Sequence, residues 1–430
     1  MKRISMKNAG FSGDFIFVAI GQIISIFGNQ ILRYALPLYL LNQTGSAALF
    51  GTILAISSIP MLLLYPIGGI IADRFNKRNT MVILDFSMTL LISLFCLFEG
   101  RIDIVLLVAI TMIVLYGIQG AYQPAVQSSI PLLLDAKYVM QGNSIINTIT
   151  SLSSMAGPII GGILFSIVGL SPILYVSIGC FFVSAVMEMF IYIPFERRKI
   201  QGNMIIVGFN DLKDSFRFMF KESPILWKVS LVYSSVGLLL TSLILIAAPV
   251  IIIQHLGFSV DRANRLYGYA QGVIAVGAVL GGVFAGVLSK KLTLRMSPFI
   301  LIGCALSILL IGVALQILES SMLIYLVLAT CCGLLVALST IFQIQIMSYI
   351  QILTPKELIG KVISCVICIC MCTMPLGQFI YGFVFENIED GFYFPFYIAS
   401  LLIIGISILT RHFFYEMDSL LPNKQQRKCA

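Results

Sequence analysis

Charge is scarce in this chain: Asp, Glu, Lys and Arg make up 11% of its 430 residues, where soluble domains carry about 25%. Histidine is scarcer still. The two present, His255 and His412, lie far apart near the ends of apolar runs, so no H-E-x-x-H metalloprotease pattern can form. A G-x-x-x-x-G-K-[ST] phosphate loop is missing too. Gly360-Lys361 comes nearest, but Pro355 stands where the first glycine is needed, which speaks against ATP hydrolysis. Polar sequence is concentrated in one stretch, roughly 194–226, and leaves no room for a separate soluble catalytic domain. No enzyme, cofactor or metal centre is expected. With no basic domain outside the apolar runs, no nucleic-acid partner is expected either.

What is abundant is apolar length. Hydrophobic residues make up 59% of the chain, against roughly 45–50% in soluble domains. They come in blocks of about 20 residues or more, the length that crosses hydrocarbon as a helix. Twelve blocks are read, at roughly 15–41, 48–71, 80–98, 104–125, 143–168, 172–193, 227–254, 265–289, 297–317, 321–350, 360–385 and 392–413. Their continuity excludes the alternating pattern of outer-membrane β-strands. The expected fold class is all-α and integral to the membrane, with twelve transmembrane helices as two pseudo-symmetric six-helix bundles. The polar stretch divides the spans into an N-terminal bundle over 1–193, a linker over 194–226 and a C-terminal bundle over 227–415, with a tail over 416–430. Within the linker, charge alternates with apolar residues over 209–221, which predicts a short amphipathic helix on the membrane surface.

Lys and Arg placement sets the orientation. With the N-terminus in the cytoplasm, 23 of the 27 basic residues fall on inner segments. Arg101, Arg262 and Arg265 fall on outer loops, and Arg33 lies within a span. The net charge of +8 thus reads as topology, and the expected location is the bacterial cytoplasmic (inner) membrane, multi-pass, with both termini cytoplasmic. The first apolar run, which follows Lys2, Arg3 and Lys7, is too long for a signal-peptide core and reads as a retained span. Of ten cysteines, nine lie in or beside spans and Cys429 in the tail. Cys365, Cys368, Cys370 and Cys372 suggest a metal cluster at first sight. A thiol is, however, a small apolar side chain that packs well between helices, and no disulfide framework is implied.

The two halves echo each other. Gly69 is followed eight residues on by Lys77-Arg78, and Gly282 eight residues on by Lys290-Lys291. The fifth span carries Pro158-Ile159-Ile160-Gly161 and the eleventh Pro375-Leu376-Gly377. Two similar bundles pivoting about a midplane site are what alternating access needs. The stretch Gly69-Ile70-Ile71-Ala72-Asp73-Arg74-Phe75-Asn76-Lys77-Arg78 resembles the loop 2–3 signature of the major facilitator superfamily, G-x-x-x-D-R-x-x-K/R-R. The resemblance implies that Gly69, Asp73, Arg74, Lys77 and Arg78 form an inner latch between the halves. Ala156-Gly157-Pro158-Ile159-Ile160-Gly161-Gly162 resembles the G-P-x-x-G-G signature of the drug-antiporter branches. There Gly157, Gly161 and Gly162 bare one helix face while Pro158 bends it, which favours export over import. The fourth span departs from the R-x-x-Q-G of such antiporters: Gln119-Gly120 match, but Tyr116 occupies the arginine position. Gly21-Gln22, Gln43-Thr44-Gly45-Ser46 and Gln123-Pro124-Ala125-Val126-Gln127 are similar to the macrolide-efflux-like group over most of the chain.

Polar residues inside the spans are the functional candidates. Gln22, Ser25, Asn29 and Arg33 are spaced to form one stripe on the first helix. They read as cavity-lining, with outward snorkelling of Arg33 the alternative. Asp85 and Glu188 are candidates for carrying a proton, although their places near span ends favour an interfacial position for both. Gln119, Gln123 and Gln343 could hydrogen-bond a substrate, and Met371, Met374 and Tyr381 could supply adaptable apolar contact, while plain packing remains open for them. The expected function is export of an amphipathic organic compound, drug or macrolide-like, by alternating access in exchange for protons, by a monomer in contact with the bilayer. A transporter of a siderophore, peptide or lipid, a uniporter, and an intramembrane enzyme or sensor are the alternatives.

Overall fold

The computed structural model describes residues 13–134, 138–193, 224–288, 292–354, 359–388 and 390–419. The six helices of the first half are α1 (Gly13–Thr44), α2 (Ala47–Arg74), α3 (Lys77–Phe98), α4 (Ile104–Leu133), α5 (Val139–Val168) and α6 (Leu170–Met189). Helix α7 runs through four consecutive stretches, Pro224–Val236, Gly237–Thr241, Ser242–Val250 and Ile251–His255, of which the second and fourth are wound as π-helix. It is followed by α8 (Val260–Val287), α9 (Ser297–Ile317), α10 (Ser321–Leu353), α11 (Ile359–Glu386) and α12 (Phe394–Ser419). All twelve are long and apolar enough to cross a membrane, and no strand occurs among the described residues. The twelve apolar blocks read from the sequence match these helices. The expected surface helix of the linker and the end of the tail lie outside the described residues.

Local chemistry explains the helix ends. Asn76 caps α3 by accepting from the Arg78 amide at 3.1 Å, and Asp103 caps α4 by accepting from Val105 and Leu106 at 3.0 and 3.1 Å. Gly169, at φ 76°, turns the chain from α5 into α6, a backbone position that disfavours a side chain. Outward faces carry large apolar residues, among them Leu409, Val287 and Leu401, exposed by 81, 75 and 73%. In water such surface would be unfavourable; against lipid tails it is neutral.

With lipid outside, hydrophobic burial does not drive helix against helix, so close packing at small residues must. Helices α2 and α4 touch backbone to backbone: a Cβ on Gly120 would lie 2.7 Å from the Met61 carbonyl oxygen, and one on Gly68 the same distance from Ala121 Cα. In the other half, Gly277 and Gly281 of α8 lean on the backbones of Gly333 and Ala337 of α10 in the same way. The glycine repeat read from the sequence does not make these crossings, since a Cβ on Gly282 would meet nothing within 4 Å.

The chain packs as two compact units, 1–204 with 259–272, and 205–258 with 273–430. The sequence division differs in one element, since the opening turns of α8 pack in the first unit. The Asn42 amide donates to Asn264 Oδ1 at 3.1 Å, Ser166 Oγ donates to the Asp261 carbonyl at 2.7 Å, and Tyr34 stacks on Tyr267 at 5.2 Å. Gly120→Val is expected to lower thermal stability by about 1–3 kcal/mol, the usual size of overpacking. Gly282→Val, where a Cβ would meet nothing within 4 Å, is the control. Melting of the two purified variants in detergent checks this, and equal melting points would refute the crossing.

Candidate functional site

The polar stripe of α1 leads to the site. Helical spacing puts Gln22, Ser25, Asn29 and Arg33 on one face, and the structure turns that face toward α3 and α4. Gln22 donates through Nε2 to the Tyr122 hydroxyl of α4 at 2.6 Å. That hydroxyl donates in turn to Glu188 Oε1 of α6 at 2.8 Å. Ser25 donates to Asp85 Oδ1 of α3 at 2.9 Å. Ser184, one turn before Glu188, donates to the Gly21 carbonyl at 3.2 Å. Four helices are tied together at one level.

The cluster is closed to solvent. Asp85 and Glu188 are 1 and 0% exposed, and Gln22 and Asn29 are equally buried. This corrects two expectations. The carboxyls are not exposed on the outside of the bundle, because each is bonded to a neighbouring helix. Gln22 and Asn29 do not line open space in this state, because α3, α4 and α6 cover the stripe. The hydrogen bonds are also incomplete: Asp85 Oδ2, Glu188 Oε2 and Gln22 Oε1 are buried and meet no donor, and Asn29 Nδ2 meets no acceptor. Buried polar atoms without partners are uncommon, and several in one place mark a site of function.

Farther along the stripe, the Arg33 guanidinium lies over the ring of Tyr116, with Cζ 4.1 Å from the ring centroid. Tyr116 is buried well inside α4 (Ile104–Leu133). The arginine therefore turns into the bundle and does not snorkel outward. The tyrosine that replaces the expected arginine of α4 is thereby the seat of an arginine from α1.

The other candidates fall in separate places. Gln119 is buried on α4 and Gln123 half-buried one turn on. Gly157 of α5 faces Gln30, Gly161 faces Tyr34 and Ile31, and Gly162 faces Gly268 of α8, where a Cβ would lie 2.8 Å from Gly268 Cα. Pro158 stands within α5 beside them, its carbonyl near Gly268. Gly69, Asp73 and Arg74 close α2, and the side chains of Asp73 and Arg74 lie outside the described part. Lys77 and Arg78 open α3, where the Arg78 guanidinium donates to the carbonyl of Met189 at the end of α6, a favourable place for a cation. On α11, Met371 is exposed and Met374 half-buried. Tyr381 is buried and donates to the Leu239 carbonyl at 2.9 Å, within the first π-turn of α7. Gln343 is half-buried on α10; Gln345, two residues on, is the buried one and accepts from Ser297 at 3.1 Å.

Sequence reasoning missed Tyr122, the residue that joins Gln22 to Glu188. Its signal was its place between Gln119 and Gln123, in a span otherwise apolar at that depth.

The sequence pattern of the Major Facilitator Superfamily matches residues 18–376. The chain belongs to this superfamily. Macrolide efflux protein A of Streptococcus pyogenes is 22% identical over 404 residues, which cover 92% of this chain and 94% of that protein. The multidrug efflux pump Tap of Mycolicibacterium fortuitum is 20% identical over 380 residues, covering 86 and 88%. Among solved structures, the nucleoside transporter NupG superposes with a TM-score of 0.70 at 11% identity, covering 94% of this chain and all of that one. A D-xylose–proton symporter gives 0.67 at 15% identity, covering 94 and 97%. This facilitator is thus a multi-pass membrane transporter of small molecules, and its neighbours are transporters, not enzymes.

In the facilitator, Tyr122→Phe removes one donor and one acceptor from the cluster. It should lower stability by about 1–3 kcal/mol, the usual penalty for stranding buried polar groups. Thermal melting of the purified variant reads this, and an unchanged melting point would show that the hydroxyl is no bridge.

Proposed function

We propose that this facilitator exports an amphipathic organic compound by alternating access in exchange for protons. We place it in the bacterial cytoplasmic membrane, with both termini in the cytoplasm as the Lys and Arg bias favours. The observation that carries the coupling is the shortage of donors around Asp85 and Glu188. Their second oxygens and Gln22 Oε1 are three buried acceptors with nothing to accept from. A proton on one carboxyl turns an acceptor into a donor and lets it pair with a second of the three. Without it, an uncompensated charge is left in the bundle interior, which costs on the order of several kcal/mol and favours a state in which water reaches it. Binding of the proton thus differs between the two states, the condition for an ion to shift an equilibrium. Protons taken up from outside and released inside would drive the compound outward.

Direction and substrate class rest on the α5 packing face and on the efflux proteins that the chain resembles over most of its length. Gln119, Gln123, Gln343, Met371 and Met374 are the proposed substrate contacts. Asp73, Arg74, Lys77 and Arg78 are the proposed inner latch, with Gly69 allowing the close approach.

Efflux from preloaded cells tests the reading, with ethidium, a fluorescent macrolide and a neutral amphipathic dye as probes. Energised efflux of at least one probe should collapse with a protonophore. Asp85→Asn and Glu188→Gln should each lower it by about 5- to 150-fold, the usual range of a coupling free energy, at unchanged membrane level. Efflux indifferent to the protonophore and to both substitutions would sink the coupling. Separately, Asp73→Asn should weaken transport and leave membrane insertion intact; full transport by that variant would remove the latch.

A further inference from the structure

The cluster holds more acceptor oxygen than one carboxyl needs for a proton. Asp85 Oδ2 comes from α3, Glu188 Oε2 from α6 and Gln22 Oε1 from α1, and all three are buried without a donor. Gln22 is wholly buried. Its Nε2 is bound to the Tyr122 hydroxyl, which is bound to Glu188, so its amide group is part of the cluster. The hydroxyls of Ser25 and Tyr122 add lone pairs at the same level. Carboxylate, amide and hydroxyl oxygens, with no nitrogen or sulfur, are the donor set of a hard cation. Two carboxyls with, among the described residues, no Lys or Arg bonded to them make the set suited to a single positive charge or two.

We infer that Asp85, Glu188 and Gln22 form a site for a small alkali cation, sodium in size, which competes there with protons. The inference rests on the export reading above only for its use, as a second coupling ion; the binding itself stands without it. Among the described residues, few charged and titratable groups face the site from its neighbours. Tyr122 faces it from α4. Arg78 at the start of α3 and Asp14 at the start of α1 lie on one side of it. Arg33, seated over Tyr116, lies on the other. Both arginines are otherwise engaged, one by the Met189 carbonyl and one by the ring, so neither fills the cation's place.

The full-length protein, purified in detergent, tests this through thermal melting at pH 8 and constant ionic strength, with sodium, lithium, potassium or choline chloride. Sodium at about 100 times its dissociation constant should stabilise the protein over choline, by the mass-action rule that a ligand bound only to the native state raises stability. Lowering the pH to 6 should weaken the apparent sodium affinity roughly tenfold per unit once protons dominate the site. Asp85→Asn and Gln22→Leu should each abolish the sodium effect. Gly282→Val, remote from the cluster, should keep it and shows that detergent-purified variants still respond. Equal melting in sodium and choline would overturn the inference. So would a sodium effect that survives Asp85→Asn, since the cation then binds elsewhere. Proton-driven efflux that persists in sodium-free medium leaves the export reading standing even where the sodium site falls.

Discussion

A carboxyl buried in a bundle that faces lipid must be met by donors from other helices, and the first half of this facilitator is arranged around that requirement. The Tyr122 hydroxyl accepts from Gln22 and donates to Glu188, while Ser25 donates to Asp85. These few bonds fix α1, α3, α4 and α6 at one level. Hydrocarbon outside supplies no force that would hold the four in register, because an apolar helix face is as content with lipid as with its neighbour. Directional bonds in a low-dielectric interior supply it, and they lose it when one partner is missing.

Small residues supply the complementary half of the argument. On α1, Gln30, Ile31 and Tyr34 face the glycines of α5, whereas Gln22, Ser25 and Arg33 face α3 and α4. One helix therefore carries the polar cluster on one side and the glycine contact with α5 on the other. A shift of α1 against α5 moves the floor of the cluster with it. Glycine at 157, 161 and 162 leaves no side chain to absorb such a shift, so packing and polar bonding change together. The first turns of α8 join the same contact through Gly268 and Tyr267.

The twelve spans were legible because apolar length is a property of one segment at a time. The ends of α3, α4 and α12 were less so: α4 runs on to Leu133 and α12 to Ser419, past the apolar blocks that announced them. The two carboxyls were misplaced for another reason. Asp85 and Glu188 stand near the edges of apolar blocks in the sequence, yet side chains of α1 and α4 meet them and bury both, which position along a single block does not reveal. Tyr122 and the π-turns of α7 were illegible for the same reason. Which donor meets which acceptor depends on two helices at once, and no single segment carries that information. The stripe on α1 was legible as a face, while what covers it was not.

The two arginines that flank the cluster set how tightly it can hold a cation. Ser25 and Arg33 are separated by eight residues on one helix, on the order of 12 Å along its axis. A unit charge at that distance opposes a cation by about 1.4 kcal/mol at an effective dielectric of about 20, or roughly tenfold in affinity. Tyr116 holds the guanidinium on its ring face, so the charge acts on the cluster from a distance. An arginine held there by a tyrosine weakens the site without filling it. A site that must bind an ion on one side of a membrane and release it on the other needs that weakness as much as it needs the carboxyls.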